Sequence, residues 1–169
     1  MRKADEEQFH AFVSPRLDRW RRSAYLLCRD WHTADDLVST TVAKLFRRWP
    51  SVAAADNPDA FAQRVLTRSW LDERRRPWRR ESPTEQLPDG AAVLPSAIED
   101  RESLAALLDS LGPRQRAVLV LRFYLDCSVE ETAEILGVSP GTVKSQAARG
   151  LTSLRALAGA STPDQEGTP

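Results

Sequence analysis

Cysteine and histidine are scarce in this chain, two of each in 169 residues, and neither pair is spaced for chemistry. Cys28 and Cys127 form no CxxC, and His10 and His32 complete no metal-ligand spacing. A disulfide framework and a zinc site are therefore excluded, and each cysteine is expected to be a small buried apolar side chain in a reduced, cytoplasmic protein. No apolar run reaches the roughly 20 residues that a membrane helix needs. The opening MRKADEEQFH lacks the apolar core of a signal peptide, so neither a span nor a leader is expected. Also missing are a glycine-rich phosphate loop and any Ser/His or Cys/His set with a supporting acid, which argues against an enzyme and against a cofactor. No segment alternates with a period of two, so the fold class is all-α.

Net charge is absent too, with 24 basic against 24 acidic residues, but the balance hides an uneven distribution. Residues 1–80 carry 17 Lys/Arg and 11 Asp/Glu, whereas residues 81–110 carry 1 and 7. Pro77, Pro83, Pro88, Pro95 and Gly90 fall in or beside the acidic stretch and cannot sustain a helix. The chain reads as a helical domain over 5–77, an acidic linker over 78–97, a second helical domain over 98–158 and a disordered tail over 159–169.

In the first domain the pattern predicts one helix from about Asp5 to Arg29. A second is predicted to start at a capping-box-like Thr33–Asp36 and to end before Pro50, and a third begins with Asn57 as cap and Pro58 in the first turn. In the second, Asp100–Leu111 and Pro113–Leu125 read as helices hinged at Gly112, followed by Val129–Leu136 with Val129, Ala133 and Leu136 on one face. Gly137 suits the left-handed position that ends that helix, and Ser139 with Pro140 suits the start of the next. Helix, tight turn and helix make a helix-turn-helix. At about 100° per residue, Val143, Ala147, Leu151 and Leu154 face inward. Thr142, Ser145, Ala148, Arg149 and Thr152 face outward with Lys144 at the flank, a carboxylate-free face able to enter a major groove, with Arg149 able to pair with a guanine edge. The same face would also serve as the solvated side of an ordinary helical hairpin. Gly150, inside this helix, costs about 1 kcal/mol relative to Ala.

A second constellation is RVLTRSWLDERRRPWRR, residues 64–80, with seven arginines, two carboxylates and Trp70 and Trp78 interleaved. Arg64, Arg68 and Arg75 fall along one helical stripe, with Arg74 and Arg76 beside it, suited to phosphate contacts and base stacking on an unpaired strand. A solvated helix end with both tryptophans in the core is the alternative reading.

Taken together, DWHTADDLVSTTVAKLFRRW (30–49), DNPDAFAQRVLTRSWLDERRR (56–76), the acidic linker, LGPRQRAVLVLRFYLDCSVEETAEILG (from Leu111) and SVEETAEILGVSPGTVKSQAARGLTSLR (128–155) resemble an extracytoplasmic-function, group IV RNA polymerase sigma factor of the actinobacterial sigma-E type. The resemblance covers roughly residues 5–158. It implies a subunit, monomeric when free, that binds core RNA polymerase and directs it to promoter DNA, with no reaction of its own; an anti-sigma factor is a further partner the family admits. The segment around Asp35, Asp36 and Val38 would dock on polymerase. Acids there would equally favour the dipole of a first helical turn. The loop from Pro50 through Asp56 and Asn57, with Arg64, Arg68, Trp70, Arg74, Arg75 and Arg76, would receive the melted minus 10 element, and the helix-turn-helix would read minus 35 as duplex. Ser39 and Ser69 stand where many relatives carry Gln and Asn. A helix-turn-helix regulator acting without polymerase is the alternative. The charge map further suggests that the acidic linker folds over the basic face near 64–80 in the free protein, with rigid interdomain packing as its rival.

Overall fold

The computed structural model describes residues 1–75 and 99–160, so the acidic stretch 81–97, with Arg76 and Trp78, lies outside the described residues. The first half contains α1 (Lys3–Val13), a 3₁₀ turn (Ser14–Arg16), α2 (Leu17–Cys28), α3 (Trp31–Arg47), α4 (Trp49–Ala53) and α5 (Pro58–Arg75). In the second, α6 (Glu99–Asp109) and α7 (Pro113–Leu119) precede a π-helical turn (Val120–Tyr124), α8 (Val129–Leu136) and α9 (Pro140–Ala160). No strand occurs among the described residues.

Several boundaries differ from the sequence expectation for local reasons. Instead of one helix over 5–29, the chain tightens into the 3₁₀ turn at Ser14–Pro15–Arg16, because proline removes the amide needed to continue the α-helical ladder. The capping box expected at Thr33–Asp36 is replaced by Asp30, whose carboxylate accepts from the amides of His32 and Thr33 at 3.3 and 3.1 Å and from the Thr33 hydroxyl at 2.6 Å. These bonds hold the Asp30 carboxyl below its usual range. Pro50 is the second residue of α4 rather than the end of α3, an early position where its missing amide is harmless. Gly159 and Ala160 belong to α9 rather than to a tail.

Other punctuation acts as expected. The amide of Ala60 donates to Asn57 Oδ1 at 3.0 Å to open α5. Ser128 and Glu131, which the sequence reading did not single out, form a reciprocal capping box on α8, with bonds of 3.0 and 2.8 Å. Gly137 ends α8 at φ 67°, and Ser139 Oγ accepts from the Thr142 amide at 3.1 Å to start α9.

Helices α2, α3 and α5 pack around Trp20, Leu27, Leu45, Leu66 and Trp70, all buried. In the second half Val118, Ala133 and Val143 form a small cluster of their own. The larger apolar cluster does not stop at the domain boundary: Leu108, Leu119, Leu121 and Ile135 are continuous with Leu27 and Trp70. Helix α5 runs along α8, and α2 along α6.

Gly150 has a packing reason that the sequence does not disclose. A Cβ there would stand 2.9 Å from Leu119 Cδ1, and Leu119 is itself buried in α7. Replacing Gly150 by Ala is therefore expected to forfeit the propensity gain of about 1 kcal/mol to overpacking of about 1–3 kcal/mol. Chemical denaturation should show no gain in stability for Gly150→Ala, and a gain on adding Leu119→Val; stabilisation by Gly150→Ala alone would refute the close-packing account.

Candidate nucleic-acid interface

The helix-turn-helix presents one side outward. Val143 is fully buried and Ala147, Leu151 and Leu154 are half-buried against the core, while Lys144, Ser145, Ala148, Arg149 and Thr152 are exposed and Thr142 is half-buried at the turn. Thr142 also bonds the Ser139 hydroxyl at 2.9 Å, and Thr152 donates to the Ala148 carbonyl at 2.9 Å, so these two hydroxyls are partly engaged in holding the helix.

On the first domain, Arg64 and Arg68 line a groove of about 460 Å³ with Lys44, Arg47 and Arg48 from the end of α3, around Phe61 and Val65, with Asp72 as its carboxylate. Sequence reasoning missed Lys44, Arg47 and Arg48, although their spacing of i, i+3 and i+4 places them on one helical face. Their partner face on α5 is a tertiary matter. Lys44 Nζ donates to Ser69 Oγ at 2.8 Å, which anchors the α3 wall to α5 and shows Ser69 as a buried spacer between them.

The remaining residues proposed for the minus 10 element divide. Asp56 and Asn57 are exposed at the turn before α5, and Arg75 is exposed near its end. Trp70 is only 2% exposed, which corrects its assignment as a stacking platform: a ring enclosed by α5, α7 and their neighbours has no face for a base. Arg74 and Arg116 instead lie over that ring, at 5.5 and 5.4 Å from its centroid.

Around the start of α3, Asp35 pairs with Arg21 at 2.6 Å, and this bond lowers the carboxyl while raising the guanidinium. Since α3 begins at Trp31, Asp35 and Asp36 fall beyond its first turn and owe little to the helix dipole. Val38 forms part of an exposed apolar groove of about 480 Å³ with Phe9, Leu17, Val42, Ala43 and Phe46. Leu17 and Phe46 are 39% and 41% exposed, large for apolar side chains on a small domain.

Among the described residues no group of His, Cys, Asp and Glu is arranged to hold a metal ion, and no helix is long and apolar enough to cross a membrane. Both cysteines are half-buried, and burial pushes the Cys28 thiol up to about 11, which leaves it protonated and unreactive near neutral pH.

An exposed helix-turn-helix on one helical domain and a basic groove beside an apolar one on the other define a two-domain, DNA-directed protein of the sigma type. Residues 12–80 match the family described as sigma-70 region 2, and residues 101–154 match sigma-70, region 4. The chain is 41% identical over 154 residues to the RNA polymerase sigma-E factor of Streptomyces avermitilis, covering 88% of this chain and 83% of that one. It is 33% identical to the ECF RNA polymerase sigma factor SigE of Mycolicibacterium smegmatis, over 85% of this chain and 58% of the other. The chain belongs to the ECF RNA polymerase sigma factors. Its fold matches that of the sigma factor RpoE of Bartonella quintana, solved in complex with the anti-sigma factor NepR, with a TM-score of 0.72 at 25% identity over 92% of this chain and 97% of that one.

Proposed function

We infer that this chain is the promoter-specificity subunit of RNA polymerase, joining the core enzyme through the first domain and contacting promoter DNA through both. The observation that carries this reading is the pairing, within one chain of this family, of an outward polar recognition face on α9 with a groove of five cations on the first domain. Lys44, Arg47, Arg48, Arg64 and Arg68 supply phosphate contacts to an unpaired strand, and Phe61 supplies an apolar surface between them. Asp56, Asn57 and Arg75 flank the same strand. The apolar groove at Phe9, Leu17, Val38, Val42 and Phe46 is the surface for core polymerase, with Asp35 held by Arg21 and Asp36 lining a neighbouring groove with Thr33, Thr40 and Lys44. A regulator acting without polymerase has no use for a sigma-70 region 2 domain, and the exposed apolar groove on that domain favours a large protein partner.

In vitro transcription with core polymerase on a promoter library tests this directly. Initiation above that of core alone is expected on a subset of templates, and Phe46→Asp is expected to abolish it while leaving the fold intact, because Phe46 is exposed. Failure on every template, or full activity of Phe46→Asp, would overturn the respective part of the reading.

Arg149→Ala is expected to lose about 1–3 kcal/mol of promoter discrimination, concentrated at one base pair of the upstream element. Competition among single-base promoter variants reads this out; a uniform loss across all of them would place Arg149 on phosphate instead.

A further inference from the structure

Arg114 has no visible task in holding the fold. It stands in the first turn of α7, where a cation meets the positive end of the helix dipole, and it makes no hydrogen bond or ion pair among the described residues. It lines a cavity of about 390 Å³ together with Arg68 and Arg75 of α5 and a single carboxylate, Asp72. Arg75 and Asp72 are likewise unpaired among the described residues, although Asp72 lies within one helical turn of both α5 arginines. Arg64, the preceding cation of the stripe, is engaged elsewhere: its Nη2 donates to Glu134 Oε1 of α8 at 2.8 Å.

The walls of the cavity are fixed. Arg68 Nε donates to the Ile135 carbonyl at 3.1 Å, which orients the guanidinium and leaves its two Nη groups without a partner among the described residues. Gly137, also on the wall, keeps room for it, since a Cβ there would stand 3.0 Å from Arg68 Nη2. Val118 is buried with Ala133 and Val143, and Leu136 and Val138 pack against that cluster, so Val118, Leu136 and Val138 form a firm apolar side of the cavity. Thr142 and Gln146, one turn apart on α9, add a hydroxyl and an amide. These elements come from both halves of the chain, and the shared apolar cluster and the bonds of Arg116 hold them in place without a ligand.

We propose that this cavity binds a nucleoside polyphosphate: Arg68, Arg75 and Arg114 take the phosphates, and Val118, Leu136 and Val138 take one face of the base, with Gln146 offering donor and acceptor to its edge. The volume falls within the range of small-molecule sites, about 300–1,000 Å³, which favour the joints between domains. Guanidinium forks match phosphate oxygens bidentately. A polyanion also relieves the mutual repulsion of three cations that one carboxylate leaves in excess. Inorganic phosphate alone would leave the apolar side and Gln146 unused. Arg68 and Arg75 belong as well to the promoter surface proposed above; that bound nucleotide withholds them from the strand rests on that reading, whereas the site itself does not.

Isothermal titration calorimetry of the full free chain tests the site, with GTP, ATP and inorganic tripolyphosphate as the probes. Saturable one-to-one binding of at least one nucleotide is expected, about tenfold tighter than tripolyphosphate, as burial of about 60 Å² of base against an apolar wall gives. No saturable binding of either nucleotide up to about 1 mM overturns the proposal, and equal affinity for tripolyphosphate overturns its nucleoside part by reducing the site to an anion cluster. Arg114→Ala is expected to weaken nucleotide binding about tenfold or more, the scale of one charge-assisted hydrogen bond. Arg155→Ala, the same charge change at an exposed position farther along α9, is expected to leave the affinity unchanged. Equal losses in the two variants would reduce the attraction to net charge and overturn the site. Arg114 is exposed and unpaired among the described residues, so its removal costs the fold no polar contact described here. It also has no part in the promoter or polymerase surfaces proposed above, so failure of this experiment is distinct from failure of the transcription experiment.

Discussion

Replacing Trp70 by Ala is expected to cost about 3–5 kcal/mol, the range for emptying a fully enclosed aromatic site. Against the stability of an ordinary domain, about 5–15 kcal/mol, that is at least a fifth. Trp70 is buried among residues of both halves, in the cluster that also contains Leu27, Leu66, Leu108 and Leu121. Two guanidinium groups lie over its ring, so truncation removes apolar burial and cation contacts together. Guanidinium-chloride unfolding of the full chain measures the loss. Trp70→Phe keeps most of the volume and should lose far less, while binding single-stranded DNA as wild type does. A strand-binding defect in a stably folded Trp70→Phe would return the residue to the interface.

Arg116→Met is the second large effect, expected at about 3–5 kcal/mol, as for breaking a buried charged network by removing one partner. Arg116 is 2% exposed and donates to four backbone carbonyls: Leu27 at 2.6 Å, Leu108 at 2.7 Å, Asp109 at 3.0 Å and Leu111 at 3.1 Å. Three of these lie at or just past the end of α6 and the fourth in the last turn of α2, so one guanidinium serves carbonyls at two helix ends in different domains. Met fills similar space yet donates nothing, which removes the side-chain donor from the Leu27, Asp109 and Leu111 oxygens, while Leu108 keeps the Leu111 amide at 3.0 Å. Lys is a poor substitute because a point charge on a flexible stem cannot fan out to four acceptors. Burial lowers the guanidinium to about 10, with Asp109 opposing the shift, so Arg116 stays charged at neutral pH and the loss should be flat across that range. A destabilisation below about 1 kcal/mol, the value of a single ordinary hydrogen bond, would show that water or a rearranged side chain replaces it.

Arg116 also shows where reading the sequence stopped. In LGPRQRAVL it is the second of two arginines between a proline and an apolar run, and nothing local marks it as the buried one. Its acceptors include a carbonyl 89 residues away, a separation across which no sequence period carries information. Arg64 and Arg68 were legible as a cationic stripe because they share one helix and its 3.6-residue period. That Glu134 and Ile135 cover them depends on how α5 meets α8. Trp70 was misread for the same reason: alternation of arginine with tryptophan suits either a stacking surface or a core edge, and only the packing of the second domain closes that face. The groove cations Lys44, Arg47 and Arg48 were visible one helix at a time, but a groove needs two walls.

By itself the sequence determined the features encoded within a few neighbouring residues: helical periods, the Asn57 and Ser139 caps, the positive-φ Gly137, and with them the helix-turn-helix and its outward face. Local hydrogen bonds and backbone sterics fix these without help from the rest of the chain. Only the tertiary structure decided that the two halves share one apolar cluster, that Arg116 joins two helix ends, that Gly150 makes room for Leu119, and that α8 lies on the arginines of the groove. Each of these depends on contact between segments far apart in sequence, where burial and desolvation act on shape rather than on pattern.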